Sequence, residues 1–406
     1  MRPATLVYYG ANVLMHRDRL DARLELISVI GLAKEQRDPD HPTSGFGRLD
    51  AFDGTRNFLF TRFRAADPEP VAGLGVQAAA FPRVWGFKDY DWVEWTMNTN
   101  TVMERNITET LGAGATVILD PARSDSLFES SIPVRNMHEL EWLAYYIDPP
   151  RWPAEIFGPI SPDLAATGEG IFRSRCAGCH EYGDDRRTAT GLVRLRGLRP
   201  EIVGTDPTAA LRISCPVPDT GPLAIAPTAF SAEQSELLGD CAGVTAGRAF
   251  EGHSFARTVE AAVDGIKQKA YAAAGVDAAQ QAAMEDFDRR GTVAWRDTLL
   301  DTAAPYGPYA ARPLYGIWAA APYLHNGSVP TLHDLLLPPA ERPRTFALGG
   351  REYDTVKLGF VVSTTCDRQD CLVDTARTGD GNGGHLWGTE LSEPDRMALL
   401  EYLKSY

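Results

Sequence analysis

No stretch of this chain reaches the roughly 18 consecutive apolar residues that a membrane-spanning helix needs. Positive charge is also in short supply: 40 lysines and arginines against 54 aspartates and glutamates leave a net charge of −14. That balance argues against nucleic acid or an anionic membrane surface as the main partner. An acidic carrier would suit a basic redox partner, and solubility alone explains the charge equally well. Cysteine is sparse, six residues in 406, and a second Cys-x-x-Cys is missing, so a four-thiolate zinc site has no second half. A leader pattern is missing too. Met1-Arg2-Pro3 opens a short apolar run broken by Gly10, Asn12, His16 and Arg17, without a small-residue cleavage site. The expectation is that a signal peptide has been removed or that the chain is a fragment. Hydrophobic content of 44% and charged content of 23% are ordinary for a soluble globular protein.

What is present centres on Cys176-Ala177-Gly178-Cys179-His180. Two thiols three positions apart with an imidazole directly after them form the attachment motif of c-type haem. Cys176 and Cys179 would add across the vinyl groups and His180 would reach the iron, giving one covalently bound haem c. A half zinc site and a redox dithiol are the alternatives, and neither requires the trailing histidine. Of the four other cysteines, the short-loop pairs Cys215–Cys241 and Cys366–Cys371 are expected. Haem attachment and disulfides together point to an oxidising compartment, hence a periplasmic or secreted protein.

The pattern along the chain predicts a mainly α fold: a cytochrome c-like haem domain over 151–406 with long irregular loops, preceded by a partial helical domain over 1–150. Residues 1–40 read as helical, and His41 after them as solvated. In Gly45–Phe52, Arg48 either pairs with Asp50 or meets a haem propionate. The aromatic cluster of residues 81–106 includes Trp92 and Trp95, which are either core or haem-edge residues, with Arg105 as a propionate partner. A helix over 136–147 is stopped by Asp148-Pro149-Pro150-Arg151-Trp152-Pro153, the domain boundary. The haem helix starts at Ser161, places Gly168 where another helix approaches, and sets Phe172 against the haem edge. Residues 181–230 are irregular, and their arginines (186, 187, 194, 196 and 199) face solvent or propionates. A helical tract covers 254–300, broken near Gly275 and Gly291. The segment from Arg312 to Leu332, which contains His325, reads as irregular chain pressed on a cofactor, followed by a short helix over 331–336. Gly381–Thr389 is a glycine-rich loop carrying His385, and Ser392 caps a final helix with Met397, Leu400, Leu403 and Tyr406 on one face.

Four groups compete for the sixth iron position: His385, His325, His253 and Met397. His385 is the expected ligand, because glycines let its backbone lie close to a flat cofactor. Met397 is expected in the core, and His325 to bond a propionate or a backbone carbonyl. A doubly ligated iron passes electrons, whereas a five-coordinate iron would activate oxygen or peroxide.

Gly45–Phe52, Trp92-Val93-Glu94-Trp95, the Cys176–His180 motif, Gly204-Thr205-Asp206-Pro207, Arg312–Leu332 and Asn382–His385 together resemble the bacterial di-haem cytochromes related to rubber oxygenase. These are distant relatives of di-haem cytochrome c peroxidases. The resemblance implies a mostly helical periplasmic or secreted protein with two haem domains, the first open to oxygen and the second held by two histidines. His180 and His385 would be that second pair, with Arg312 in the same pocket and Trp92 or Trp95 between the haems. The single Cys-x-x-Cys-His departs from the pattern, and the first motif is expected upstream of residue 1. The expected function is electron transfer, as the C-terminal half of a di-haem peroxidase-like or oxygenase-like oxidoreductase, with a redox protein or a second haem domain as partner. The alternative is a self-contained haem peroxidase or oxygenase with an open iron.

Overall fold

A computed structural model describes residues 47–49, 79–99, 101–112, 115–188, 191–217, 220–223, 225–239, 241, 244–288, 307–348, 350, 352–365 and 372–406. The expected helix over 1–40, His41, Asp50, the break at Gly291 and Cys366 with Cys371 lie outside them. Helices dominate the described chain, with short two-stranded pairings between them.

Helix α1 (Val102–Gly112) and helix α2 (Val134–Ala144) come first. The second begins two residues before the expected start and ends at Ala144, three short of the expected end. Pro133 stands at its N-cap, and Pro149 follows closely after it. The haem helix α3 (Pro162–Arg175) has proline in its first turn and Asp163 at its positive end. Ser161 holds the N-cap position, but its hydroxyl makes no capping bond. Instead its amide donates to Glu401 at 2.7 Å, which ties the start of the helix to the last helix of the chain.

A single turn, α4 (Ala177–His180), continues directly from α3. Then follow α5 (Pro200–Val203), α6 (Thr208–Ser214), α7 (Phe255–Ala273) and α8 (Ala278–Asp288). Ser254 caps α7 through the Arg257 amide, and Gly275, at φ 66°, breaks the tract between α7 and α8 as the sequence predicts. The one-turn α9 (Leu332–Leu335) is capped by Thr331. The terminal α10 (Glu393–Leu403) is capped by Ser392, which accepts from the Asp395 amide.

Two cores result. In one, Met103, Ile107 and Leu111 of α1 meet Val134 of α2 and Val259, Val263 and Ile266 of α7. Residues from both sides of Asp148–Pro153 therefore share one apolar core, and the proline-rich link does not divide the packing. The other core joins Phe172 of α3 to Leu399, Leu400 and Leu403 of α10, with Trp318, Tyr323, Val329 and Leu332. Gly168 permits that crossing. A Cβ there would overlap the Ala398 carbonyl and stand 2.8 Å from the Tyr402 Cβ. Phe172, expected at a cofactor edge, packs on the rings of Tyr402 and Tyr406 at 5.4 and 4.9 Å.

Candidate haem site

Helix α3 delivers Cys176 and Cys179, both free and half-buried, on the turn that ends in His180. Cys176 and Ala177 pack against the α3–α10 core. Burial first, and the neighbouring Cys179 second, push the Cys176 thiol up to about 11. An exchange-active dithiol is favoured by the opposite shift, toward thiolate at neutral pH, so the Cys176 environment runs against the redox-dithiol reading.

The His180 ring is oriented through one nitrogen. Its Nδ1 lies 2.8 Å from the Arg312 carbonyl oxygen, which fixes Nδ1 as the donor and leaves Nε2 to bind a metal. Burial holds the imidazole below its usual range, in the neutral form that ligation requires. Arg312 is placed by an antiparallel pairing of β1 (Arg196–Leu198) with β2 (Tyr309–Ala311), Arg196 opposite Ala311. Its guanidinium donates to the Val93 carbonyl at 2.7 Å and lies over the Trp95 ring, 4.4 Å from the centroid. Trp95 is in turn fixed by its indole N–H, which donates to the Ala80 carbonyl at 3.0 Å. Trp95, Arg312 and His180 are thus consecutive contacts. Trp92 is fully buried, among Phe87, Tyr90, Met97 and Leu195.

His385 comes from a loop that is held down along its length. The Gly379 and Gly381 amides donate to Asp206 at 3.1 and 3.0 Å, and Asn326 donates to the carbonyls of the same two glycines at 3.0 and 2.9 Å. Ser328 adds a bond to the Gly381 carbonyl. Arg342 donates to the Asn382 carbonyl at 2.6 Å and to that of His385 at 3.3 Å. Arg48 pairs with Asp380 of this loop. The His385 amide donates to Val203 at the end of α5, 2.8 Å away. A Cβ on Gly384 would overlap the Gly204–Thr205 backbone, which is why only glycine fits beside the histidine. His385 itself is in the left-handed region at φ 49°, a conformation that a non-glycine residue keeps only when its surroundings enforce it.

These constraints set the His385 ring against that of His180, with centroids 6.2 Å apart. A metal–imidazole bond is about 2 Å long and the ring centroid lies about 1 Å behind the nitrogen, so two imidazoles holding one ion from opposite sides stand about 6 Å apart. Neither Nε2 makes a hydrogen bond among the described residues, and the buried Nδ1 of His385 has no partner. Burial, followed by His180 and Arg342, depresses His385 to about 4. Both rings are therefore neutral donors at physiological pH, and the residues present fit a bis-histidine haem c.

Among the described residues the other candidates do not meet His180. His325 is buried on the Tyr309 ring at 4.2 Å, and its Nε2 is unpartnered. Its backbone carbonyl accepts from Ala80 at 2.8 Å. His253 forms a bridge with Val217, and Met397 packs against the α3–α10 core. Arg105 bonds Glu141 and Asn106. Of the arginine cluster, Arg187, Arg194 and Arg199 are exposed, whereas Arg196 is half-buried with an unbonded Nε. Sequence reasoning missed the loop clamps. Asp206 and Asn326 stood in the motifs already singled out, while nothing marked Arg342.

Comparison with known proteins finds relatives and a family match. The chain is 31% identical over 397 residues to the uncharacterized protein y4iJ of Sinorhizobium fredii (strain NBRC 101917 / NGR234), covering 89% of this chain and 60% of the relative. It is 26% identical over 358 residues to the uncharacterized protein y4iM of the same strain, covering 86% of this chain and 65% of that one. The chain thus spans less than two thirds of either relative. Residues 307–347, which contain Arg312, His325 and Arg342, match the family described as RoxA-like, cytochrome c-like. That match supports a cytochrome related to the RoxA-like group and, with it, haem c binding and haem-based electron transfer or oxidoreductase-like function.

Proposed function

We propose that this chain carries one covalently attached haem c at Cys176 and Cys179, held by His180 and His385, and that its function is electron transfer. The observation that carries the proposal is the pair of neutral imidazoles facing each other at 6.2 Å. Bound haem would supply a one-electron ferric/ferrous couple. The protein's part is to keep both faces occupied. Arg312 holds the His180 ring through its carbonyl, and the clamps on residues 379–385 keep His385 from swinging away. Small movement of ligands between oxidation states favours fast transfer, and a loop tied down from several directions provides it. Arg196 and Arg312 are our candidates for the propionate charges, and Trp95, stacked on Arg312, for a haem-side aromatic. His325 and Trp92 remain proposed cofactor neighbours.

A redox partner protein or a second haem domain would receive the electron, and the chain would act as the C-terminal half of a di-haem peroxidase-like or oxygenase-like oxidoreductase. Covalent haem and the Cys215–Cys241 disulfide fit a periplasmic or secreted setting. No helix among the described residues is long and apolar enough to cross a membrane. The test is the mass of the denatured protein after expression with haem-attachment machinery. One haem added covalently is expected, and none in Cys176→Ala/Cys179→Ala. A wild-type chain that loses its haem to acid acetone would overturn covalent attachment.

A further inference from the structure

A cleft opens between α1 and α7, and neither of the two histidines lines it. Its lining is mostly apolar, with Phe81, Trp95, Ile213 of α6, and Phe255 and Val259 of α7, beside the polar Asn98, Thr99 and Thr108. Three carboxylates, Glu94, Glu104 and Glu109, line the same space. Acidic groups beside an apolar wall are common when arginines neutralise them, so the arginines decide the matter. Arg105 is spent on Glu141 at 2.5 Å and on Asn106, and Arg312 on Val93 and the Trp95 ring. Glu94 is only 7% exposed, yet its carboxylate makes no hydrogen bond or ion pair among the described residues. Glu109, on α1, likewise has no partner among them. A buried carboxylate left without a donor is costly, and an opposite charge placed beside it recovers that cost.

We propose that this cleft is a binding site for a small organic cation, an alkylammonium group whose charge meets Glu94 and Glu109 and whose hydrocarbon body lies against Phe255 and Val259. A bare metal ion fits less well. Among the described residues no group of three or more histidine, cysteine, aspartate or glutamate side chains is placed to hold one, and apolar walls offer a metal nothing. They offer an alkyl chain burial, while two carboxylates fix its polar end. Burial raises Glu94 to about 8, reinforced by Glu109 and Glu104 and opposed by Arg105 and Arg312. Without a cation the site therefore holds a proton, and cation binding expels it. Affinity should rise with pH through that range, because the carboxylate must ionise while the ammonium keeps its charge.

The test is calorimetric titration of the full haem-loaded chain with n-butylammonium and, separately, with n-butanol. Binding of n-butylammonium is expected to tighten by about tenfold or more between about pH 6 and pH 9. Glu94→Gln and Glu109→Gln should each weaken it by about tenfold or more, with the haem spectrum unchanged. Should Glu94→Gln fail to fold, the partly exposed Glu109→Gln decides the outcome alone. Equal binding of n-butanol, an affinity independent of pH, or displacement of n-butylammonium by a lower concentration of calcium would each overturn the proposal.

Discussion

Asp206 supports the site without touching the cofactor position. One carboxylate oxygen accepts the Gly379 and Gly381 amides, and the other accepts the Thr208 amide at 2.9 Å, so a single side chain joins the His385 loop to the start of α6. Asp206→Ala strands two amides of a tight loop. It should cost about 1–3 kcal/mol in urea denaturation, and it should convert part of the haem population to high spin as His385 loosens. Asp206→Asn keeps an acceptor oxygen and should do less. The same residues show what the sequence made legible. His385 could be chosen because its flanking glycines imply close backbone approach, a local property. Arg342 could not, since its role depends on carbonyls some forty residues further along, Asn382 and His385, brought near by the fold. Arg48 illustrates the same limit. A basic residue near an aspartate suggested a local pair or a propionate contact, and the structure adds a partner that sequence did not mark, Asp380, 332 residues away.

Among the elements, the crossing of α3 and α10 is the one that sequence described best, because Gly168 has a single steric meaning and the cap at Ser392 is local. Gly168→Ala must push Ala398 and Tyr402 aside and should destabilise the protein by about 1–3 kcal/mol. Gly170→Ala is the matched control. Nothing lies within 4 Å of a Cβ there, so that variant should be neutral or stabilise by up to about 1 kcal/mol. Thermal melting of the pair reads the difference. The joint between α2 and α7 was not legible. His138 of α2 is 7% exposed and bonds the Tyr271 hydroxyl of α7 at 2.7 Å, where Lys267 also lies. Burial first and Lys267 second depress His138 to about 4, against a slight opposing pull from Glu285. The sign follows. The unfolded chain binds a proton here below about pH 6.5 while the folded chain refuses it until about 4. This contribution is fully present above about pH 6.5 and is lost as pH falls toward 4, by no more than about 1.4 kcal/mol per pH unit. His138→Phe should flatten the pH dependence of the urea midpoint over that window relative to the parent protein.

At the scale of the whole molecule, residues from both sides of the proline-rich link meet in one core. Composition placed a boundary at the proline-rich link, but α7, far beyond it, supplies six of the sixteen buried residues in the core around α1 and α2. Periodicity reveals which face of a helix is apolar and is silent about which other helix covers it. The disulfide between Cys215 and Cys241 encloses a separation of 26 residues and lies in a small core with Phe230 and Leu238. Short-loop pairing anticipated it correctly. Cys215→Ala/Cys241→Ala should lower stability by about 3 kcal/mol through the freed denatured chain, read as a lower urea midpoint with the haem spectrum intact. An unchanged midpoint would show that packing alone carries this subdomain.

The ligand set governs everything said about function, and carbon monoxide reads it directly. The reduced haem-loaded protein, titrated with carbon monoxide while its Soret band is followed, should keep the spectrum of a six-coordinate low-spin haem. His385→Ala should bind the gas stoichiometrically. Stoichiometric binding by the unaltered protein would contradict the His180–His385 pair and put an open, substrate-binding iron in its place.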